Sequence, residues 1–270
     1  MTGSLRRIWG LLYRHIALYR RSWPRVVELA YWPTLQMCIW GFTSSFFLAR
    51  GVGAGGAGGA LTAAGALLGG VLLWEVALRS QMGVSVTFLE EIWSRNLGHV
   101  FVSPVRPWEM LAAMFGMSVL RTAAGVLPAA VLAYVLYAFD LLRLGPVLVV
   151  FLALLMAMGW AVALGVVSLI LRHGLGAEAL AWGLLFGLAP LSAVFYPVSV
   201  LPSWLRPVSL ALPSTHVFEG MRAALAGVIR WDHLAWAAGL DVMWLALAAL
   251  LFAAQFRAAR TRGALVAVGE

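Results

Sequence analysis

Long apolar runs dominate this chain, and short basic or proline-rich stretches separate them. Six runs read as membrane helices, at roughly residues 26–49, 61–83, 108–138, 145–171, 177–195 and 234–257. At ~1.5 Å per residue, five are long enough to cross a hydrocarbon core of about 30 Å, while 177–195 is marginal. Residues 4–21 carry a different pattern. Leu5, Ile8, Trp9, Leu12, Ile16 and Tyr19 recur at helical spacing, with Arg7, Arg14 and Arg21 opposite them. That predicts a basic amphipathic helix lying in the membrane interface. It is not a signal peptide, because no apolar core precedes residue 26 and the basic region is too long.

The pattern breaks at Pro190–Leu225. Pro190 sits in the fifth run, which stops at Phe195-Tyr196-Pro197. The apolar residues that follow carry Pro202, Pro207 and Pro213, a spacing that a helix interior tolerates poorly. The stretch is too short to cross a bilayer and reads as broken helix that enters the membrane and returns, about residues 196–213. Such backbone survives at membrane depth only where protein or a water-filled cavity covers it. After Pro213, Ser214 or Thr215 is placed to cap a new helix. Glu219 and Arg222 stand at i, i+3, and Phe218, Met221 and Leu225 share a face.

Between the second and third runs lies VSVTFLEEIWSRNLGHVFVSPVRP, residues 84–107. Leu89, Ile92, Trp93 and Val100 fall on one helical face, and Glu91 and Arg95 stand at i, i+4. The spacing predicts a short amphipathic helix, about 88–102, ended by Ser103-Pro104. It suits either a groove on a soluble partner or the membrane surface.

Composition agrees with a polytopic membrane protein: 63% of residues are hydrophobic and 11% charged. The net charge of +8 therefore reports orientation and not nucleic acid. With the N-terminus inside, twelve arginines fall on inner segments and five on outer ones. Both termini are then expected in the cytoplasm and the broken stretch outside. Every basic residue other than histidine is Arg, so no P-loop lysine exists. Any ATP hydrolysis must come from another chain. The single Cys38 permits no disulfide within the chain. Gly53-x-Gly55-x-x-Gly58 matches a dinucleotide fingerprint as a string, but no strand precedes it.

Glu75, Arg79, Arg121 and Asp241 fall well inside the apolar runs, away from their ends. Each costs on the order of 2.5–3.5 kcal/mol at the bilayer centre. Glu75 and Arg79 can pair at i, i+4, and Arg121 needs an acid, Glu75 by depth. They form either a structural polar network or an ion relay, so an ion-coupled secondary transporter using Glu75, Arg121 and Asp241 is the alternative function.

Glu90, Glu91, Arg95, Val102, Ser103, Pro104, Val105 and Glu109, with the Tyr-Pro, Pro-x-Trp-Leu and Pro-Ser-Thr-x-x-x-Glu-x-x-Arg elements of 196–222, resemble type-2 ABC transporter (ABC-2) permeases. The Glu90-Glu91-x-x-x-Arg95 string also resembles the first motif of intramembrane CAAX-type proteases. None of His15, His99, His173, His216 and His233 follows a Phe by four, however, as that family requires.

The permease resemblance implies an all-α fold. An N-terminal interfacial amphipathic helix (1–25) precedes six transmembrane helices (26–258), with a re-entrant outer segment between helices five and six, and a cytoplasmic tail (259–270) follows. It implies a coupling role for Glu90, Glu91, Arg95, Ser103 and Pro104, and an outer gate at Pro197, Pro202, Glu219 and Arg222. No residue would be catalytic or bind metal. Cofactors would be absent from this chain, with ATP and Mg on a partner ATPase present in two copies. A second or related permease would complete an exporter of drug-like compounds, lipids or lipid-linked glycans in the inner membrane, with membrane lipid as a further partner and no nucleic acid.

Overall fold

The computed structural model describes residues 2–50, 56–98 and 103–261, and among them there is no strand. Expectations that fall on Gly53, Gly55, His99, Val100, Val102 and the tail beyond 261 lie outside the described residues. The helices are α1 (Thr2–Arg20), α2 (Trp23–Ala49), α3 (Gly56–Trp93), α4 (Pro107–Tyr137), α5 (Val147–His173), α6 (Ala179–Leu188), α7 (Arg206–Leu210), α8 (Pro213–Leu225) and α9 (Trp231–Thr261).

α3 is the axis of the bundle. A helix that is apolar all round belongs inside, and nearly every side chain of α3 from Leu68 to Ile92 is buried. It packs along α2, α4 and α5 and touches α6 and α8, while α9 covers the far side of α5. One core cluster joins Trp74, Phe151, Leu155, Phe218 and Met221. A second joins Val84, Phe88, Leu89, Ile92, Ile170 and Phe252.

The outward faces are apolar too. Leu127, Val131, Tyr134 and Val135 on α4, and Val242, Leu247 and Leu250 on α9, are exposed. Surfaces of that kind are stable against lipid and not against water. Among the described residues, four helical segments are long and apolar enough to cross a membrane: Ala63–Trp93, Pro107–Tyr137, Val147–Ala177 and Trp231–Thr261. α2 is long enough at 27 residues, but its Trp, Tyr, Pro, Thr, Ser and Gln residues make it less apolar.

Three expectations on the elements are corrected. The run expected over 177–195 is helical as α6 only from Ala179 to Leu188, ten residues. The chain turns at 189–196, where Ala193 takes φ 51. The helix expected over 88–102 does not begin there. Residues 88–93 are the last turns of α3, because Phe88, Leu89 and Ile92 continue its buried stripe against α5 and α9. α3 stops at Ser94–Asn96, where Arg95 takes φ 53 and its N–H donates back to the Ile92 carbonyl at 2.8 Å. Finally, Ser214 and Thr215 do not cap α8, which starts at Pro213 with Leu212 as its N-cap. Ser214 donates to Ser192 Oγ at 2.9 Å, and Thr215 lies 3.2 Å from Ser209 Oγ.

Candidate functional site

Two polar clusters sit along α3, one at its C-terminal end near Glu90 and the other beside Gly70. Along the helix, Glu90 and Gly70 are about 30 Å apart at ~1.5 Å per residue, close to the thickness of a hydrocarbon core.

The first cluster joins α1 to the end of α3 and the start of α4. Leu12, Ile16 and Tyr19 of α1 pack on Leu29 and Met117. This contact turns Arg7 and Arg14 toward carboxylates, so they do not face away from the protein as the spacing predicted. Arg7 binds Glu109 through both carboxylate oxygens, at 2.8 and 2.6 Å. Glu109 also accepts the backbone N–H of Arg106 at 2.9 Å, which closes the first turn of α4. Arg14 pairs with Glu91, and His15 Nε2 stands 3.4 Å from the same carboxylate. Tyr19 donates to Glu90 at 3.3 Å, and Arg25 lies 3.6 Å from it.

Burial governs the titration of His15 and Tyr19. It pushes His15 below its ordinary 6.5, helped by the Arg14 and Arg121 charges and opposed by Glu91. It pushes the Tyr19 hydroxyl up to about 12, with the charges of Arg121 and Arg25 pulling the other way and Glu90 adding to the rise. Both side chains are therefore neutral at pH 7, although several charges surround them.

Several expected pairings differ. Glu91 does not pair with Arg95. The left-handed turn carries Arg95 outward, and Glu91 instead takes Arg14 and the Asn96 amide, the latter at 2.8 Å. Arg121 does not pair with Glu75. Its Nη1 donates to Thr87 Oγ1 at 3.2 Å and its guanidinium lies 5.0 Å above the Tyr19 ring. Glu75 does pair with Arg79, at 3.2 Å. Asp241 is buried with neither oxygen hydrogen-bonded among the described residues. No ion pair or hydrogen bond joins Glu75, Arg121 and Asp241 to one another among the described residues. Pro104 is exposed beside the half-buried Ser103, at the foot of α4.

The second cluster is the proline-rich stretch. Here Glu219 Oε1 accepts the Val198 N–H at 2.8 Å and Arg222 at 3.0 Å. Arg222 Nη1 donates to the Ala193 carbonyl at 2.9 Å. One ion pair on α8 thus holds both sides of the break. Pro197 sits between them in extended conformation and opens a short 3-10 turn, Val198–Val200. Pro202 accepts the Leu205 and Arg206 N–H groups with its carbonyl and starts the next turn. Arg206 donates to the carbonyls of Leu201 and Ser199. Phe218 and Met221 are fully buried, so α8 seats the stretch against α3, α5 and α9. A Cβ on Gly70 would stand 2.6 Å from the Val194 carbonyl, so only glycine lets α3 approach the turn this closely.

Local spacing does not mark Arg7, Arg14, His15, Tyr19 and Arg25 as partners of the inner carboxylates. The one available signal was that Arg7 and Arg14, seven apart, share a helix face as a matched set.

A comparison with curated proteins finds no match. The chain does match the family described as ABC-2 type transporter, over residues 6–226. That range spans α1 through α8 and includes both polar clusters. The chain belongs to the ABC-2 type transporter family and is a multi-pass membrane protein.

Proposed function

We propose that this chain is the transmembrane permease subunit of an ABC exporter. Family membership, over 6–226, is the observation that carries this reading. A member of this family is the membrane component of an ABC transporter; it works with an ABC ATPase and is not itself that ATPase. ATP and Mg are held on the partner, which is present in two copies, and a second or related permease completes the transporter. The cargo is hydrophobic or amphipathic, such as a drug-like compound, a lipid or a lipid-linked glycan. It leaves the cytoplasm or the inner leaflet of the inner membrane.

In this reading the bundle crosses the membrane six times. α2 is one further span, α6 with the turn at 189–196 is the other, and the re-entrant outer segment, about 196–213, lies between it and the last span. Both termini are cytoplasmic. ATP binding closes the two ATPases, and the motion enters at the Arg95 turn and at Ser103-Pro104. Glu90 and Glu91 hold α1 to that end, so α1 moves with it. The far end gates through the Glu219–Arg222 pair, which supports the break at Pro197 and Pro202.

Reconstitution in lipid vesicles with the ATPase subunit tests the proposal. Movement of a fluorescent amphiphile should require ATP and the partner, and a protonophore should leave it unchanged. Transport by the chain alone that collapses with an ion gradient would overturn the proposal in favour of Glu75, Arg121 and Asp241.

A further inference from the structure

A cavity of about 220 Å³ opens beside the first cluster, among α1, α2, α3, α4 and α6. Three arginines line it: Arg25, Arg79 and Arg121. Arg25 faces Glu90 and Arg79 faces Glu75. Arg121 has no carboxylate within ion-pair distance among the described residues, yet it is only 9% exposed. Its contacts are the Thr87 hydroxyl and the Tyr19 ring. Glu28, the remaining charge on the wall, is exposed on α2 and makes no ion pair with it.

A buried guanidinium without a counter-charge is costly, and an anion entering the cavity removes that cost. The rim points to the source of the anion. Trp93 and Trp182 line the cavity and are 47% and 41% exposed. Trp93 ends α3, where a tryptophan of a membrane helix sits at headgroup depth, and basic pockets between membrane helices take lipid headgroups. The volume is below that of a site for a drug-sized ligand, about 300 Å³ or more. It suits a phosphate and a few carbons.

We propose that this cavity binds the phosphate headgroup of an anionic membrane lipid, with Arg121 as its counter-charge and the acyl chains lying outside past Trp182. The site stands on the membrane location and the cavity, and does not depend on ATP-driven export.

Native mass spectrometry of the delipidated protein tests it, with phosphatidylglycerol, phosphatidylcholine and inorganic phosphate as probes. The expected result is one phosphatidylglycerol retained at least tenfold more tightly than phosphatidylcholine, with no shift from millimolar inorganic phosphate. Arg121→Gln should abolish that preference and Arg121→Lys should keep part of it. Met82→Trp narrows the cavity without changing charge and should also abolish it, so it decides the matter if Arg121→Gln fails to fold. An unchanged preference in Arg121→Gln, or in Met82→Trp alone, would overturn the proposal. Phosphate binding as tightly as the lipid would overturn the lipid assignment in favour of a soluble anion.

Discussion

Arg7 on α1 holds Glu109 on α4 through both carboxylate oxygens, across 102 positions of sequence. The Glu109 side chain is fully buried while Arg7 is about a third exposed. Bidentate arginine pairs of this kind fix orientation as well as adding energy. Arg7→Ala should free the first turns of α1 and expose Trp9 and Tyr13 to chymotrypsin several-fold faster. Arg7→Lys, which loses the fork, should fall between. Unchanged cleavage would mean that α1 is held by its apolar contacts alone.

His15 makes this docking sensitive to acid. Its folded pKa lies below the ordinary 6.5, so the folded state favours neutral imidazole. The stability it contributes is complete above about pH 6.5 and is lost as pH falls from there toward its lowered folded value. Thermal unfolding in detergent should show Tm dropping below pH 6.5. His15→Leu should flatten that part of the profile.

Glu219 carries two charge-assisted contacts at the break, to the Val198 N–H and to Arg222. Glu219→Ala should cost about 2–3 kcal/mol, since charged hydrogen bonds each contribute about 1.5–3 kcal/mol. Glu219→Gln keeps an acceptor for Val198 and should cost less. Denaturant or thermal melts of the two variants check the order.

The seat of α8 rests on packing. Phe218 is fully buried against Trp74, with ring centroids 6.1 Å apart. Phe218→Ala should cost about 3–5 kcal/mol. Gly70→Val forces the Val194 carbonyl away and should lower Tm as well, although it adds apolar surface to a membrane helix.

Arg95 separates fold from coupling. Its left-handed φ of 53 costs a non-glycine residue about 1–2 kcal/mol. Arg95→Gly should therefore leave Tm unchanged or slightly raised. The same change should weaken association with the ATPase if the exposed turn is the docking point. Loss of both stability and association would place the role of Arg95 inside the fold.

Helix existence was legible, because a strong apolar period leaves little choice of structure. The Glu75–Arg79 and Glu219–Arg222 pairs were legible too, since helical spacing alone brings them together. Long-range partners were not. Arg14 meets Glu91 from 77 positions away, and no local spacing encodes that meeting. The end of α3 was misplaced for a related reason. Glu90 and Glu91 read as part of a separate short helix, but Glu91 pairs with Arg14 of α1, and the membrane helix continues through both to Trp93. Arg121 was assigned to Glu75 by depth, whereas rotation about α4 points it at Tyr19.

The reading stands or falls on this chain being the membrane subunit of an ATP-driven transporter. Its most direct test is a mild-detergent pull-down of the tagged protein from its native membranes, beside a Glu90→Ala/Arg95→Ala variant. The account predicts that a soluble P-loop ATPase is recovered in stoichiometric amount and that the variant recovers less. An intact, folded protein that never brings down an ATPase would contradict it.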